Sequence, residues 1–125
     1  MIFSSGSFSV VAAGDGLGSV NFEFPGSTVL LSLVQAQQVV KAIGQGLCTG
    51  LVAAVINTSA TIYIQVNNST LNPAETSFSV DGVTLSTPGV NIWLLVSGSP
   101  YIVYLTIAQA QQLVNALGLY SVTYQ

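Results

Sequence analysis

The chain contains SLVQAQQVVKAIG at residues 32–44 and, 74 residues later, TIAQAQQLVNALG at residues 106–118. Seven of the thirteen positions are identical, and four of the six differences are conservative. Such similarity at one fixed offset indicates an internal duplication, so the fold is expected to contain one structural unit twice.

Each repeated stretch has the sequence of a short helix with a defined start. Ser32 and Gln35 in the first copy, and Thr106 and Gln109 in the second, match a capping box. In this motif the hydroxyl and the side chain three residues later each accept a hydrogen bond from the other residue's backbone amide. We therefore predict that helices begin immediately after Ser32 and Thr106.

The same stretches predict where the helices end and which face they bury. Gly44 and Gly118 are expected to stop them, because glycine is common just past a helix C-terminus. Apolar side chains recur at helical spacing and predict one buried stripe per helix. These are Leu33, Ala36, Val40 and Ile43 in the first copy, and Ile107, Ala110, Val114 and Leu117 in the second.

The duplication extends beyond the helices. STVLL at residues 27–31 aligns with YIVYL at residues 101–105, and SFSV occurs at residues 7–10 and again at 77–80. The SFSV pair is offset by 70 rather than 74 residues, which predicts four extra loop residues in the second copy.

The segments around the helices have the pattern of strands. Val20, Phe22 and Phe24 alternate with Asn21 and Glu23. A second run has Ile62, Ile64 and Val66 alternating with Tyr63 and Gln65, and turn-forming dipeptides such as Pro25-Gly26 lie between such runs. We predict an α+β, β-dominated fold in which two strand, hairpin and helix units pack in one small domain.

The chain has the length of a single domain spanning residues 1–125. Its first unit is placed at about residues 7–50 and its second at about residues 77–125, with a linking hairpin at about residues 51–67.

Charged residues are unusually rare. The 125 residues include one Lys, four Asp or Glu, no Arg and no His, whereas an ordinary domain is about one quarter charged. The surface must therefore consist of small polar and apolar side chains, which suits burial against other subunits. With a net charge of −3, the chain lacks the cations that dominate affinity for nucleic acid, so no nucleic-acid partner is expected.

The N-terminal sequence, MIFSSGSFSV, has no basic region and no apolar core of signal length, so we expect no secretory leader. The longest purely apolar run, residues 51–56, is far shorter than the roughly twenty residues of a spanning helix. We expect no membrane insertion and synthesis in a host cytoplasm.

Two glycine-rich stretches could suggest ligand loops. Gly14, Gly16 and Gly18 form GDGLGS, but the spacing is not that of a dinucleotide-binding loop, and no Lys follows it. Gly46 and Gly50 follow the expected stop at Gly44. We interpret both stretches as turns.

The remaining candidates for chemistry are few. Cys48 has no His to activate it, and a structural or incidental thiol is expected. Asp15 and Asp81 occur in glycine-containing turns, Glu23 alternates outward on a strand, and no calcium-loop spacing occurs. We assign no function to Glu75 or to the glycosylation sequons at Asn57, Asn67 and Asn68. The sequence predicts no enzyme activity, no catalytic residue, no cofactor and no metal.

These features favour a structural subunit of a large symmetric assembly, held to copies of itself and to other subunits. We favour a virus or bacteriophage particle, with the chain as a capsid decoration, a minor capsid protein or a tail or fibre component. One alternative is an extracellular filament or surface-layer subunit assembling by strand complementation. Another is a small-ligand-binding module, which would be a monomer with a concave apolar cavity.

Overall fold

The computed structural model describes residues 1–71, 78–80 and 82–124. Within them the chain forms two four-stranded antiparallel sheets, one two-stranded sheet and two helices. This architecture confirms the α+β, β-dominated fold class. A single apolar cluster joins the inner faces of both large sheets to both helices.

The first sheet is an antiparallel meander. Its strands are β1 (Phe3–Ser5), β2 (Phe8–Ala12), β3 (Val20–Phe24) and β4 (Ser27–Leu31), and each pairs with the next along the chain. Helix α1 (Leu33–Thr49) follows at once.

The second sheet has the same layout with an insertion. Strands β5 (Leu51–Asn57) and β6 (Thr61–Asn67) form a hairpin, and the small hairpin of β7 (Phe78–Val80) and β8 (Val83–Leu85) follows it. Strands β9 (Gly89–Val96) and β10 (Ser99–Leu105) follow, and the chain then forms helix α2 (Ile107–Val122). The strand order is β10-β9-β6-β5.

Of the two further segment pairs that the duplication aligned outside the helices, one corresponds in the structure and the other does not. Residues 27–31 and 101–105 lie in β4 and β10, which both lead directly into a helix, as predicted. The two SFSV segments do not correspond, because residues 8–10 lie in β2 of the first sheet while residues 78–80 form β7 of the separate hairpin. The hairpin expected at residues 51–67 is present, and β6 pairs with β9, so it supplies two strands of the second sheet.

Both helices begin where the sequence predicts. The Ser32 hydroxyl accepts a hydrogen bond of 3.2 Å from the Gln35 amide, and the Gln35 side chain accepts one of 2.8 Å from the Ser32 amide. Thr106 and Gln109 repeat the exchange at 3.1 and 2.9 Å. The capping boxes are therefore confirmed in both copies.

The predicted helix stops are wrong. Helix α1 runs five residues past Gly44 to Thr49, and α2 runs four residues past Gly118 to Val122. Gly50, with a φ of 104°, ends α1 instead. Tertiary contacts explain the continuation, since Gly46 lies so close to Val66 of β6 that a side chain would not fit there.

The buried helix faces are wider than the predicted stripes. Ala36 and Ile43 are buried as expected, as are Ala110 and Leu117, but Val39 and Leu113 are also fully buried. The other predicted stripe residues, Leu33, Val40, Ile107 and Val114, are half-buried. Each helix contacts both the other helix and a sheet, so it buries two adjoining faces rather than one line.

Neither helix packs only on the sheet that precedes it in the chain. Helix α1 packs mainly on β5 and β6 of the second sheet and only weakly on β4, and α2 contacts β1 of the first sheet as well as β9 and β10. This differs from the expected packing of each helix on its own sheet. The reason for α1 is the direct connection through Gly50 into β5, which turns the chain back along the helix.

Candidate assembly surface

Large apolar side chains are exposed over much of the molecule. Among the described residues, those with about 40% or more of their surface exposed are Met1, Leu17, Leu30, Val34, Val55, Leu71, Ile102, Tyr104, Leu119, Val122 and Tyr124. The charged residues of the same part of the chain number three, namely Asp15, Glu23 and Lys41.

The outer face of the first sheet is polar but nearly uncharged. Asn21, Glu23 and Thr28 point to the side opposite the buried Phe22 and Phe24. The Ser9 hydroxyl donates a 2.8 Å hydrogen bond to the Glu23 carboxylate. Glu23 therefore has a local structural partner, as expected for a solvent-facing strand residue.

The outer face of the second sheet is more apolar. The strand register places Val55, Tyr63, Trp93 and Ile102 in one row across its four strands. Tyr63 and Trp93 stack with ring centroids 5.1 Å apart and planes 10° from parallel. A shallow groove of about 330 Å³ is lined by Tyr63, Trp93 and Ile102 of this row. Its other lining residues, Val83, Leu95, Gly98 and Pro100, are also uncharged.

A buried polar row lies beside the aromatic one and holds the β7–β8 hairpin. Gln65 donates to the carbonyl of Val83 at 3.1 Å, and Asn67 donates to that of Leu85 at 3.2 Å. Asn91 donates to the Gln65 side chain at 3.2 Å. The alternation in the sequence of β6 does not predict these hydrogen bonds, because their partners lie 18 and 26 residues away along the chain.

A second groove lies between α1 and β5. Gln38, Lys41, Ala42 and Gln45 line it from the helix, and residues 54–56 line it from the strand. Its volume is about 260 Å³. Lys41, the single basic residue of the chain, therefore lies beside the edge of the second sheet.

The GDGLGS stretch is a strand connection, as predicted. It joins β2 to β3, and the Asp15 carboxylate accepts a 2.9 Å hydrogen bond from the Leu17 amide. Hydrogen bonds from the Ser19 side chain and from that amide lower the pKa of Asp15. Gly18, with a φ of 81°, packs against Tyr124 and Leu33 so closely that a side chain would collide with them.

The second glycine stretch is only partly a turn. Gly44 and Gly46 lie inside α1, contrary to the prediction, and Gly50 forms the turn into β5. Cys48 is an exposed free thiol on the same helix.

The sequons and carboxylates are dispersed. Asn67 and Asn68 are buried, and Asn68 donates a 3.0 Å hydrogen bond to the Leu47 carbonyl, whereas Asn57 is exposed. Glu75 and Asp81 lie outside the described residues. Within residues 1–71, 78–80 and 82–124, no three His, Cys, Asp or Glu side chains group as a metal site would require.

Tyr120 gives a pH-dependent test of the packing between the β2–β3 connection and α2. Burial, followed by contact with Tyr124 and the charge of Asp15, raises the pKa of Tyr120 to about 12. The fold thus favours the neutral phenol over the phenolate. The resulting stability is fully present below about pH 10, the pKa of an unfolded Tyr, and is lost as the pH rises toward the folded pKa.

We expect wild-type protein to lose more stability than Tyr120→Phe in urea unfolding between about pH 9 and about pH 11.5, because phenylalanine has no proton to release. Parallel pH profiles for the two proteins would contradict this assignment.

Neither helix of the described chain has the length and apolar composition that a membrane crossing requires. The chain matches no family model, no curated protein and no solved structure. The class of protein that these features define is a small α+β module with extensive uncharged surface.

Proposed function

We propose that this chain is a non-enzymatic structural subunit of a large symmetric assembly. The context that we favour is a virus or bacteriophage particle, where it would serve as a capsid decoration, a minor capsid protein or a tail or fibre component. Its partners would be copies of itself and other subunits of the particle, and its location the virion.

The observation that carries this proposal is the composition of the exposed surface. Eleven large apolar side chains are exposed, against three charged side chains, in the part of the chain that the structure describes. Extensive uncharged apolar surface on a small domain is typical of an interaction site. Such surface loses little hydration when it is buried, so repeated contact with identical neighbours is favourable.

The outer face of the second sheet carries part of this surface. Val55 and Ile102, at opposite edges of its aromatic row, are 53% and 48% exposed. A specific interface buries about 800 Å² on each partner. The β7–β8 hairpin already covers part of this face, where Gln65 and Trp93 are buried, so an interface of that size would also draw on the exposed apolar residues outside it.

A filament or surface-layer subunit is the second candidate, and one observation favours it. Strand β5 is a seven-residue edge strand that pairs on one side only, with β6, within the described chain. Strand complementation between subunits uses such edges. The N-terminus of the mature protein separates the two candidates, because a filament subunit should lose a leader and a virion protein should retain Met1.

Assembly through apolar surface should resist salt. Sedimentation and light scattering from about 0.05 M to about 1 M salt should show an assembled fraction that stays constant or rises, because screening removes only ionic attraction. Release into monomer at high salt would contradict the apolar mechanism. A monomer under all conditions would contradict assembly and favour a ligand-binding module.

The absence of enzyme activity is also a proposal. The chain has no His and no Arg, and the described carboxylates Asp15 and Glu23 each accept a hydrogen bond within the fold. Elemental analysis of purified protein should find no stoichiometric zinc or calcium. A bound metal at one equivalent would overturn this part of the proposal.

A further inference from the structure

The edge of the second sheet at β5 is open and unprotected. Its residues, LVAAVIN, include no charge and no proline, although natural edge strands usually carry such features to prevent pairing with other chains. At one end the Gln35 side chain donates a 2.9 Å hydrogen bond to the carbonyl of Asn57. The remaining length has no strand partner on this side among the described residues.

Helix α1 turns this edge into a groove. Gln38, Lys41 and Gln45 are three and four residues apart, so they lie along one face of the helix, and all three line the groove together with β5. An extended polypeptide paired with β5 would therefore pass along these long polar side chains. Its backbone would be held by β5 and its side chains would meet the helix.

The single positive charge in the groove, on Lys41, favours a negatively charged partner. Lys41 is exposed and is the only basic side chain of the chain, so the groove favours a segment that carries a carboxylate. The described carboxylates of a second copy are poorly placed to supply one. Asp15 is held in its own turn, and Glu23 lies on β3, which is paired on both sides.

Pairing of β5 with β5 of a second copy is also disfavoured. A twofold axis between two antiparallel edge strands stands perpendicular to the joined sheet, so both α1 helices would lie on the same face. If β5 paired over its full length, residues 54–56 of the two copies, and the Lys41 side chains beside them, would come together, and like charges that face each other across an interface are destabilising.

We propose that the α1–β5 groove binds an extended acidic segment of a different polypeptide, which joins the second sheet as a fifth strand and places a carboxylate against Lys41. This inference rests on the proposed function, in that the segment would come from a neighbouring subunit of the assembly.

The duplication does not produce a second groove of this kind between α2 and β1. Strand β1, which corresponds to β5, has only three residues. Asn115 occupies the position of α2 that matches Lys41 in α1.

Binding of synthetic peptides to the purified full chain tests the proposal. The probe is a fluorescent peptide of about nine residues, the length of a long strand, with alternating Val and Thr and one central Glu. Fluorescence anisotropy should detect its binding, and the same peptide with central Lys should bind about tenfold more weakly. Methylating backbone nitrogens of the Glu peptide on its β5-facing side should abolish binding, because those amides could no longer donate.

Charge exchange makes the test specific to Lys41. Lys41→Glu should weaken binding of the Glu peptide about tenfold and restore binding of the Lys peptide. Asn115→Glu, which adds negative charge at the matching exposed position of α2, should leave both affinities unchanged. Failure of the Glu peptide to bind, equal effects of the two variants, or binding that tolerates backbone methylation would overturn the proposal.

The same variants separate this inference from self-assembly. If the groove serves a different subunit, Lys41→Glu should leave the sedimentation of the protein alone unchanged. Loss of self-association in Lys41→Glu would show that the groove is filled by a second copy, and would overturn the choice of partner while leaving the structural function in place.

Discussion

Replacing Leu113 with Ala should destabilise the protein by about 2–5 kcal/mol, because it leaves a cavity in a core that cannot fully close around it. Leu113 is fully buried in α2, where it belongs to the cluster shared by the two sheets and the two helices. Urea unfolding at low protein concentration would measure the change.

Leu119→Ala is the matched control. Leu119 lies six residues further along α2 and is 74% exposed, so its truncation should change the free energy of unfolding by no more than about 0.5 kcal/mol. Similar losses from the two substitutions would show that the buried face of α2 is wrongly placed.

The second large effect is expected at the contact of α1 with β6. A Cβ atom at Gly46 would lie 2.5 Å from the Cβ of Val66, and Val66 is fully buried. Helix and strand would have to separate, so Gly46→Ala should destabilise the protein by about 2 kcal/mol or more, despite the better helix propensity of Ala.

Gly44→Ala provides the control two residues away. No atom outside its own helix lies within 4 Å of a Cβ built there, so this variant should gain roughly 0.5–1 kcal/mol from helix propensity alone. In a double-mutant cycle, Val66→Ala should relieve part of the Gly46→Ala defect. A stabilising Gly46→Ala would contradict the close packing of α1 on β6.

The features that the sequence predicted correctly are those encoded locally. Ser32 with Gln35, and Thr106 with Gln109, satisfy each other within one helical turn, so the two helix starts needed no knowledge of the rest of the fold. The β-dominated class likewise followed from strand alternation, which is a property of neighbouring residues.

The features that it missed depend on contacts between distant residues. Gly44 was interpreted as a stop because glycine is common just past a helix C-terminus, but α1 continues to Thr49, and Gly46 within this continuation packs against Val66. The hydrogen bond between Asn91 and Gln65 joins residues 26 positions apart, so the periodicity of the local sequence does not predict it. The packing of α1 on the second sheet likewise depends on contacts that the local sequence does not encode.

The scarcity of charge on the surface was predictable from the composition, but the arrangement of the apolar residues was not. The scarcity of charge in the sequence indicated an assembly surface, whereas only the strand register shows that Val55, Tyr63, Trp93 and Ile102 share one row. The position of Lys41 beside the β5 edge also follows only from the packing of α1.

We propose that this chain is a component of a larger particle. Density-gradient sedimentation of material from the producing cells, with the chain quantified by mass spectrometry in each fraction, tests it most directly. We expect the chain to sediment with a particle far heavier than itself, together with a more abundant shell protein. Recovery of all the chain at the top of the gradient, at the 12.9 kDa mass of the monomer, would contradict the claim.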